Sequence, residues 1–161
     1  MEPMTLEPNN NVTITGDEVI KNIPGNSFNA SFNSTNFFDP NIENFAISWL
    51  VESIDGTIRE MGGLDDNAKQ NNSYTSIEFA IYQVNNYFYS RVYENGVAVV
   101  IPNYTNFILK VGDRLGIMVV NKKVSYFVLR GSDITIIYES KKEAIVHFFL
   151  FLSFILKTYS S

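Results

Sequence analysis

The sequence predicts an all-β protein, an antiparallel β-sandwich of jelly-roll type. Its 161 residues include thirteen Phe and nine Tyr, and aromatic side chains favour pleated, half-buried strands. Turn signals recur at roughly ten-residue intervals and separate short runs of apolar or alternating residues. No stretch has the capped apolar period of about 3.6 residues that indicates an amphipathic helix. These runs predict about eleven or twelve strands.

The first elements are a tail and a series of short strands. Residues 1–10 are polar and are expected to form a flexible N-terminal tail, followed by one sandwich domain over residues 11–161. Apolar residues alternate on both faces of the segment Phe45–Val51, which predicts a strand in the middle of the sandwich. Asp55-Gly56 indicates a hairpin turn, and a polar loop is expected over residues 62–74.

The second half contains sharper turn signals. Asn95-Gly96 and Asn121-Lys122 each separate two strand-like runs, and Asn-Gly suits the positive φ angles of a type I′ hairpin turn. Gly112-Asp113 indicates a tight turn before the next strand. The apolar run over residues 144–156 is shorter than the roughly 20 residues of a membrane-spanning helix, so it is interpreted as a buried strand or pair of strands.

Composition excludes several classes of function. The net charge of −5 leaves no cation surplus for nucleic-acid binding. The chain has no Cys and one His, which excludes thiolate sites and multi-His metal sites. The N-terminal residues lack the basic start and apolar core of a signal peptide. Localisation therefore stays open, and both cytoplasmic assembly and a virion surface are compatible with the sequence.

Four segments resemble modules of the concanavalin A-like lectin/glucanase superfamily. They read GLDDNAKQNNSYTSIEFAIY (63–82), RVYENGV (91–97), LKVGDRLGIMV (109–119) and KVSYFVLRG (123–131). The first half fits more loosely, and the resemblance covers about residues 11–161. Arg130-Gly131 departs from the family pattern, where Asn-Gly is usual. The string Gly112–Gly116 is also similar to SPRY domains, which share the sandwich architecture.

The resemblance implies a scaffold and no catalytic residues. Glycosidases of this fold use two close carboxyl groups, usually from an E-x-D-x-x-E strand, and that string is absent. Glu78 stands alone in its predicted strand, and His147 is expected to be a packed or edge-exposed residue of the last strand. We therefore expect no enzymatic activity. Two carboxyl groups about 5 Å apart in an open groove would contradict this expectation.

A ligand site is predicted from aromatic and oxygen-bearing side chains. Trp49, Tyr74 and Tyr104 are candidate platforms for the apolar face of a sugar, although Trp49 shares a strand face with core residues. Asp65, Asp66 and Asn67 could bind sugar hydroxyls, and their hard oxygen atoms also allow calcium. Solvation in a loop is the alternative interpretation of these three residues. No other cofactor is expected.

Three functions remain open. The first is a non-catalytic lectin-like module that contacts glycans or a protein surface. The second is a structural virion, capsid or fibre component that assembles into particles or homo-oligomers. The third is a SPRY-like adaptor that binds a peptide through its loops.

Overall fold

The computed structural model describes residues 5–15, 18–22, 30–52, 54, 59–66, 77–84, 87–88, 92–101 and 107–154. Within these ranges the chain forms fifteen β-strands and no helix, which confirms the all-β class. The strands are β1 (Leu6–Asn10), β2 (Val12–Thr15), β3 (Glu18–Lys21), β4 (Ala30–Ser34), β5 (Phe45–Leu50), β6 (Arg59–Asp65), β7 (Phe79–Val84), β8 (Tyr87–Phe88), β9 (Val92–Glu94), β10 (Val97–Ala98), β11 (Phe107–Ile108), β12 (Arg114–Val120), β13 (Lys123–Arg130), β14 (Asp133–Glu143) and β15 (Phe149–Phe154).

These strands form two main antiparallel layers. The large sheet has the order β1-β4-β15-β6-β7-β8-β11, with β9 paired to β7 and β10 to β9. The small sheet has the order β14-β13-β12-β5, and β2 and β3 form a separate hairpin. The strand count exceeds the prediction because β1 lies in the expected tail and because β8 and β9 are separate short strands.

One apolar core joins the two layers. Leu64 and Phe79 of the large sheet belong to the same buried cluster as Ile47 and Ile117 of the small sheet. In β5, Ile47 and Trp49 are buried while Ala46 is exposed, so the predicted alternation is confirmed. The predicted central position of this strand is wrong, because β5 is an edge strand of the small sheet.

The N-terminal segment corrects the expected flexible tail. Residues 6–10 form β1 and pair with β4 at the edge of the large sheet. The side-chain amide of Asn33 donates a hydrogen bond to Glu7 Oε1 at 2.9 Å, which fastens the two strands together. A partner strand remote in sequence supplies these contacts, so the polar composition of residues 1–10 did not reveal them.

The start of the predicted polar loop also belongs to a strand. Residues 62–65 complete β6 between β15 and β7. Gly63 permits this close packing, since a Cβ at this position would collide with the carbonyl oxygen of Phe79. The two glycines at 62 and 63 therefore mark the close approach of neighbours and not a loop.

The hairpins predicted at Asn95-Gly96 and Asn121-Lys122 are confirmed, and the turn predicted at Asp55-Gly56 lies outside the described residues. Asn95 and Gly96 have φ angles of 51° and 75°, and Asn121 and Lys122 have φ angles of 49° and 67°. Both turns join strands in tight register, Glu94 opposite Val97 and β12 opposite β13. In the part of the chain that is described, no helix has the length and apolarity needed to cross a membrane.

Candidate functional site

Several connections meet at one end of the sandwich, which we call the loop end. Residues 35–44 join β4 to β5, and residues 144–148 join β14 to β15. Phe38 and Phe148 exchange backbone hydrogen bonds of 2.8 and 2.9 Å across these two connections. The backbone N–H of Ala144 donates to the carbonyl of Lys122 at 2.8 Å, so the β12–β13 turn lies at the same end.

Three exposed or half-buried rings lie together at the loop end. Ring centroids of Phe37 and His147 are 5.2 Å apart, and those of Phe37 and Phe149 are 6.2 Å apart. His147 and Phe149 meet edge to face at 6.1 Å. Phe37 is 58% exposed. We call Phe37, His147 and Phe149 the ring cluster.

The local sequence explains why these rings point outward. Phe38 and Phe148 face the core and are tied to each other through their backbones. Their chain neighbours Phe37, His147 and Phe149 therefore project away from the core, because successive residues of extended chain alternate sides. Two Phe-Phe pairs, 37–38 and 148–149, were the available sequence signal, and the sequence analysis missed it.

A polar cleft of about 440 Å³ lies beside the ring cluster. The side-chain amide of Asn41 donates to the carbonyl oxygen of Ile145 at 3.2 Å, which connects the cleft to the 144–148 segment. The backbone N–H of Asn121 donates to Asn44 Oδ1 at 2.8 Å and holds the two walls together. The cleft is lined by Pro40, Asn41, Ile42, Glu43, Asn44, Asn121 and Lys122.

An acidic cluster adjoins the ring cluster. Carboxylate oxygens of Asp65, Asp66 and Glu78 all lie within 4.8 Å of one another. Asp65 is the last residue of β6 and lies opposite Phe149 of β15. Asp65 is fully buried, Asp66 is exposed and Glu78 is half-buried. The cluster thus brings two of the predicted ligand residues together with a third carboxylate.

The environment of Glu78 changes its acidity. Burial, together with the negative charges of Asp65 and Asp66, raises the pKa of Glu78 to about 7. The backbone N–H of Asp66, which donates to Glu78 Oε2 at 3.0 Å, acts in the opposite direction. Three carboxylate groups at this spacing offer the hard oxygen ligands that calcium prefers.

Retaining glycosidases use two carboxyl groups about 5 Å apart. The carboxylate oxygens of Asp65, Asp66 and Glu78 lie within 4.8 Å of one another, which is close to the separation that would contradict a non-catalytic module. Among the described residues, Asp65 is fully buried and Glu78 accepts a hydrogen bond from the backbone N–H of Asp66, so these two carboxyl groups do not face an open groove together. The polar cleft beside the ring cluster is lined by none of the three residues.

The predicted ligand residues have different outcomes. Trp49 is 6% exposed and belongs to the core, so its predicted role as a sugar platform is wrong. Its indole lies flat on β6, where a Cβ at position 62 would come within 2.7 Å of Trp49 Cζ2. Asp65 lies in a strand and not in the predicted loop. Asn67, Tyr74 and Tyr104 lie outside the described residues.

The arrangement of layers and loops is that of a β-sandwich similar to legume lectin-like domains. The structure has a TM-score of 0.58 to the legume lectin-like domain from Entamoeba histolytica, with 14% identity over 98% of this chain and 82% of that chain. It has the same TM-score to stonustoxin, with 11% identity over 93% of this chain and 25% of that chain. No family model matches the sequence, and no curated protein matches it significantly. At these identities the likeness shows the fold alone.

Proposed function

We propose that the chain is a non-catalytic, lectin-like binding module of concanavalin A-like type that holds a glycan at its loop end. The observation that carries this proposal is the ring cluster. Exposed rings stack on the apolar face of a pyranose, and the burial of that face favours binding.

The polar groups beside the rings support the same ligand class. Sugar hydroxyls both donate and accept hydrogen bonds. The side-chain amides of Asn41, Asn44 and Asn121 can likewise donate through the NH2 group and accept through the oxygen. The cleft also carries one carboxylate, Glu43, and one ammonium group, Lys122. Their opposite charges favour a neutral, polyhydroxylated ligand over an ion of either sign.

The acidic cluster extends the proposal to calcium. In this proposal Asp65, Asp66 and Glu78 bind the cation beside Phe149. Glu78 is then a ligand in addition to Asn67, the third ligand predicted from the sequence, or in its place. Three carboxylates within 4.8 Å repel one another, and a divalent cation would relieve this repulsion.

A protein ligand is the second candidate. Ile42, Ile145 and Val146 are 80%, 63% and 42% exposed at the same end, and contiguous exposed apolar residues are typical of protein contacts. This surface would serve a SPRY-like adaptor or assembly with further copies. Incorporation into a virion, capsid or fibre stays a prediction.

A glycan array with the purified chain and the variant Phe37→Ala tests the proposal. We expect selective binding by the wild type and a roughly fivefold to tenfold loss in the variant, because stacking on a ring contributes about 1 to 1.4 kcal/mol. Ile134→Ala is the matched control, since Ile134 is 56% exposed at the start of β14, away from the loop end. Absence of glycan binding together with selective capture of a peptide would favour the protein ligand.

A further inference from the structure

An acidic side chain is buried between the layers at the end opposite to the loop end. Glu60, near the start of β6, is 1% exposed. It shares its strand face with Leu64, a member of the core, because alternate residues of a strand face the same way. No hydrogen-bond partner is found for Glu60 Oε1 among the groups that the structure describes.

The small sheet, which faces Glu60, contributes a hydrogen-bond donor that is also unsatisfied within the described structure. The indole Nε1 of Trp49 is buried and also lacks a hydrogen-bond partner within the described structure. The indole lies near enough to Glu60 to favour the charged form of the carboxyl group, yet the two groups do not reach hydrogen-bond geometry. The indole N–H of Trp49 and the carboxyl group of Glu60 therefore face each other across the two layers without forming a hydrogen bond.

Among the residues that the structure describes, none of the neighbours in register with Glu60 or facing it supplies a cation. On β7 the residue opposite Glu60 is Gln83, which is buried and uncharged. Glu52, just beyond β5, adds a negative potential. On β12, Arg114 is turned to the other face of its sheet, where it donates hydrogen bonds to Ser48 Oγ and to the Ser48 carbonyl at 2.9 and 3.0 Å. From β15 the residue in register is Phe154, which has no titratable group.

We propose that Glu60 is a pH-dependent latch beside Trp49: the two layers stay packed at this end while the carboxyl group is uncharged, and they loosen when it ionises. A neutral carboxyl group between apolar layers resembles a small polar amide in its solvation requirement. A carboxylate buried there gains no compensating charge from the described residues that pack around it, so ionisation favours conformations in which this end opens to solvent.

The acidity of Glu60 supports this direction. Burial raises its pKa to about 8; the Trp49 indole acts against this shift and Glu52 adds to it. Glu60 is an acid whose pKa is higher in the folded protein than its ordinary value. Its contribution favours the folded state most at low pH, declines as the pH rises from the ordinary value of 4.5, and reaches its minimum above about 8.

The sole tryptophan of the chain is itself the reporter for the test. Tryptophan fluorescence and its quenching by acrylamide would be followed from about pH 6 to about pH 9.5, a range that spans the titration. We expect the wild type to show a red shift and a rise in quenching with a midpoint at about pH 8, and Glu60→Gln to lose both changes. Hydrogen exchange of β5 and β6, corrected for intrinsic rates, should increase over the same range only in the wild type.

Two further variants make the test decisive. Glu52→Gln removes a neighbouring negative charge, so it should keep the transition and move its midpoint to lower pH. Glu60→Met provides a second uncharged side chain if the glutamine variant does not fold, as judged by circular dichroism. A wild-type signal that stays flat across the range, or a transition that persists in Glu60→Gln or Glu60→Met, would overturn the latch. Glycan binding at the loop end is scored separately, so either proposal can fail alone.

Discussion

The guanidinium group of Arg130 binds the carboxylate of Asp113 in a two-point contact. Nε donates to Oδ1 at 2.8 Å and Nη2 donates to Oδ2 at 2.7 Å. Asp113 is 2% exposed and also accepts the backbone N–H of Lys110 at 2.8 Å. Arg130 stands where the resemblance noted in the sequence led us to expect Asn, and the ion pair gives this arginine a structural role.

We expect Arg130→Ala to lower the free energy of unfolding by about 2 kcal/mol, because a charged hydrogen-bond partner of a buried carboxylate is lost. The hydrogen bond from Arg130 is the main reason that the pKa of Asp113 is lowered. This contribution is present above the ordinary value of 3.8 and is lost as the pH falls through the lowered pKa. Acid unfolding of the variant should therefore begin at higher pH. Urea unfolding at several pH values measures both effects, and Lys123→Ala on the same strand should show neither.

A second polar contact joins the two layers. The hydroxyl of Tyr126, in the small sheet, donates to Glu94 Oε1 at 3.2 Å, and both residues are buried. Burial, followed by the charge of Glu94, raises the pKa of Tyr126 well above its ordinary value, so the hydroxyl keeps its proton at neutral pH. Tyr126→Phe should lose about 1–2 kcal/mol in chemical denaturation.

The neighbouring Tyr138→Phe provides the comparison for that measurement. Tyr138 stacks on Tyr126 with a centroid distance of 5.9 Å and is only half-buried. Its variant leaves the contact between Tyr126 and Glu94 in place. Equal losses in the two variants would show that the Tyr126 hydroxyl has no special role.

Gly63→Ala should be among the most destabilising single-methyl additions in the large sheet. The new Cβ would overlap the backbone of Phe79, which cannot move without disrupting the β6–β7 ladder, and a cost of about 3 kcal/mol or more is expected. At Gly131 an added Cβ would meet no atom within 4 Å, and the only cost comes from the positive φ angle of 60°. We therefore expect Gly131→Ala to destabilise the fold by about 1 kcal/mol. Thermal unfolding distinguishes the two, and a smaller effect at position 63 than at 131 would contradict the packing described for β6.

Calcium should stabilise the protein through the acidic cluster. Since the pKa of Glu78 is raised to about 7, its unfavourable charge builds up as the pH rises from 4.5 to about 7, and calcium should act mainly above that range. In chelator at pH 8, Glu78→Gln should stabilise the fold by about 1 kcal/mol, the repulsion being partly screened by solvent. In calcium the wild type should melt at higher temperature, and the variant should not respond.

Glu43→Gln is the control for this experiment, because Glu43 is an exposed carboxylate of the cleft and not of the acidic cluster. A melting temperature that is independent of calcium in the wild type at pH 8 would remove the cation from the proposal. The ring cluster would then stand as a platform without a metal.

Local chemistry accounts for what the sequence predicted correctly. The turns at Asn95-Gly96 and Asn121-Lys122 depend on φ angles that neighbouring residues determine, and the alternation in β5 depends on one buried face. The strand β1 and the inclusion of Asp65 in β6 depend on partners distant in the chain, and nothing in the sequence near those residues records such pairings. The burial of Trp49 follows from the strand face that it shares with Ile47, which the sequence did indicate.

The site was predicted less well for a related reason. Asp65 and Asp66 were recognised by residue type, but Glu78 joins them only because β6 and β7 are neighbours. Phe37 and His147 come together only because two connections bind through Phe38 and Phe148. Residue types indicated the chemistry, and tertiary pairing determined which residues supply it.

The two rings of each Phe-Phe pair have different roles at the loop end. In each pair one ring packs in the interior and its neighbour points outward. The outward side chains are therefore positioned by the backbone hydrogen bonds between Phe38 and Phe148. Under the proposed function, substitution of Phe37 or Phe149 would alter ligand binding while Phe38 and Phe148 maintain the architecture. Such a division would let ligand selectivity diverge between descendants of this protein with little effect on folding.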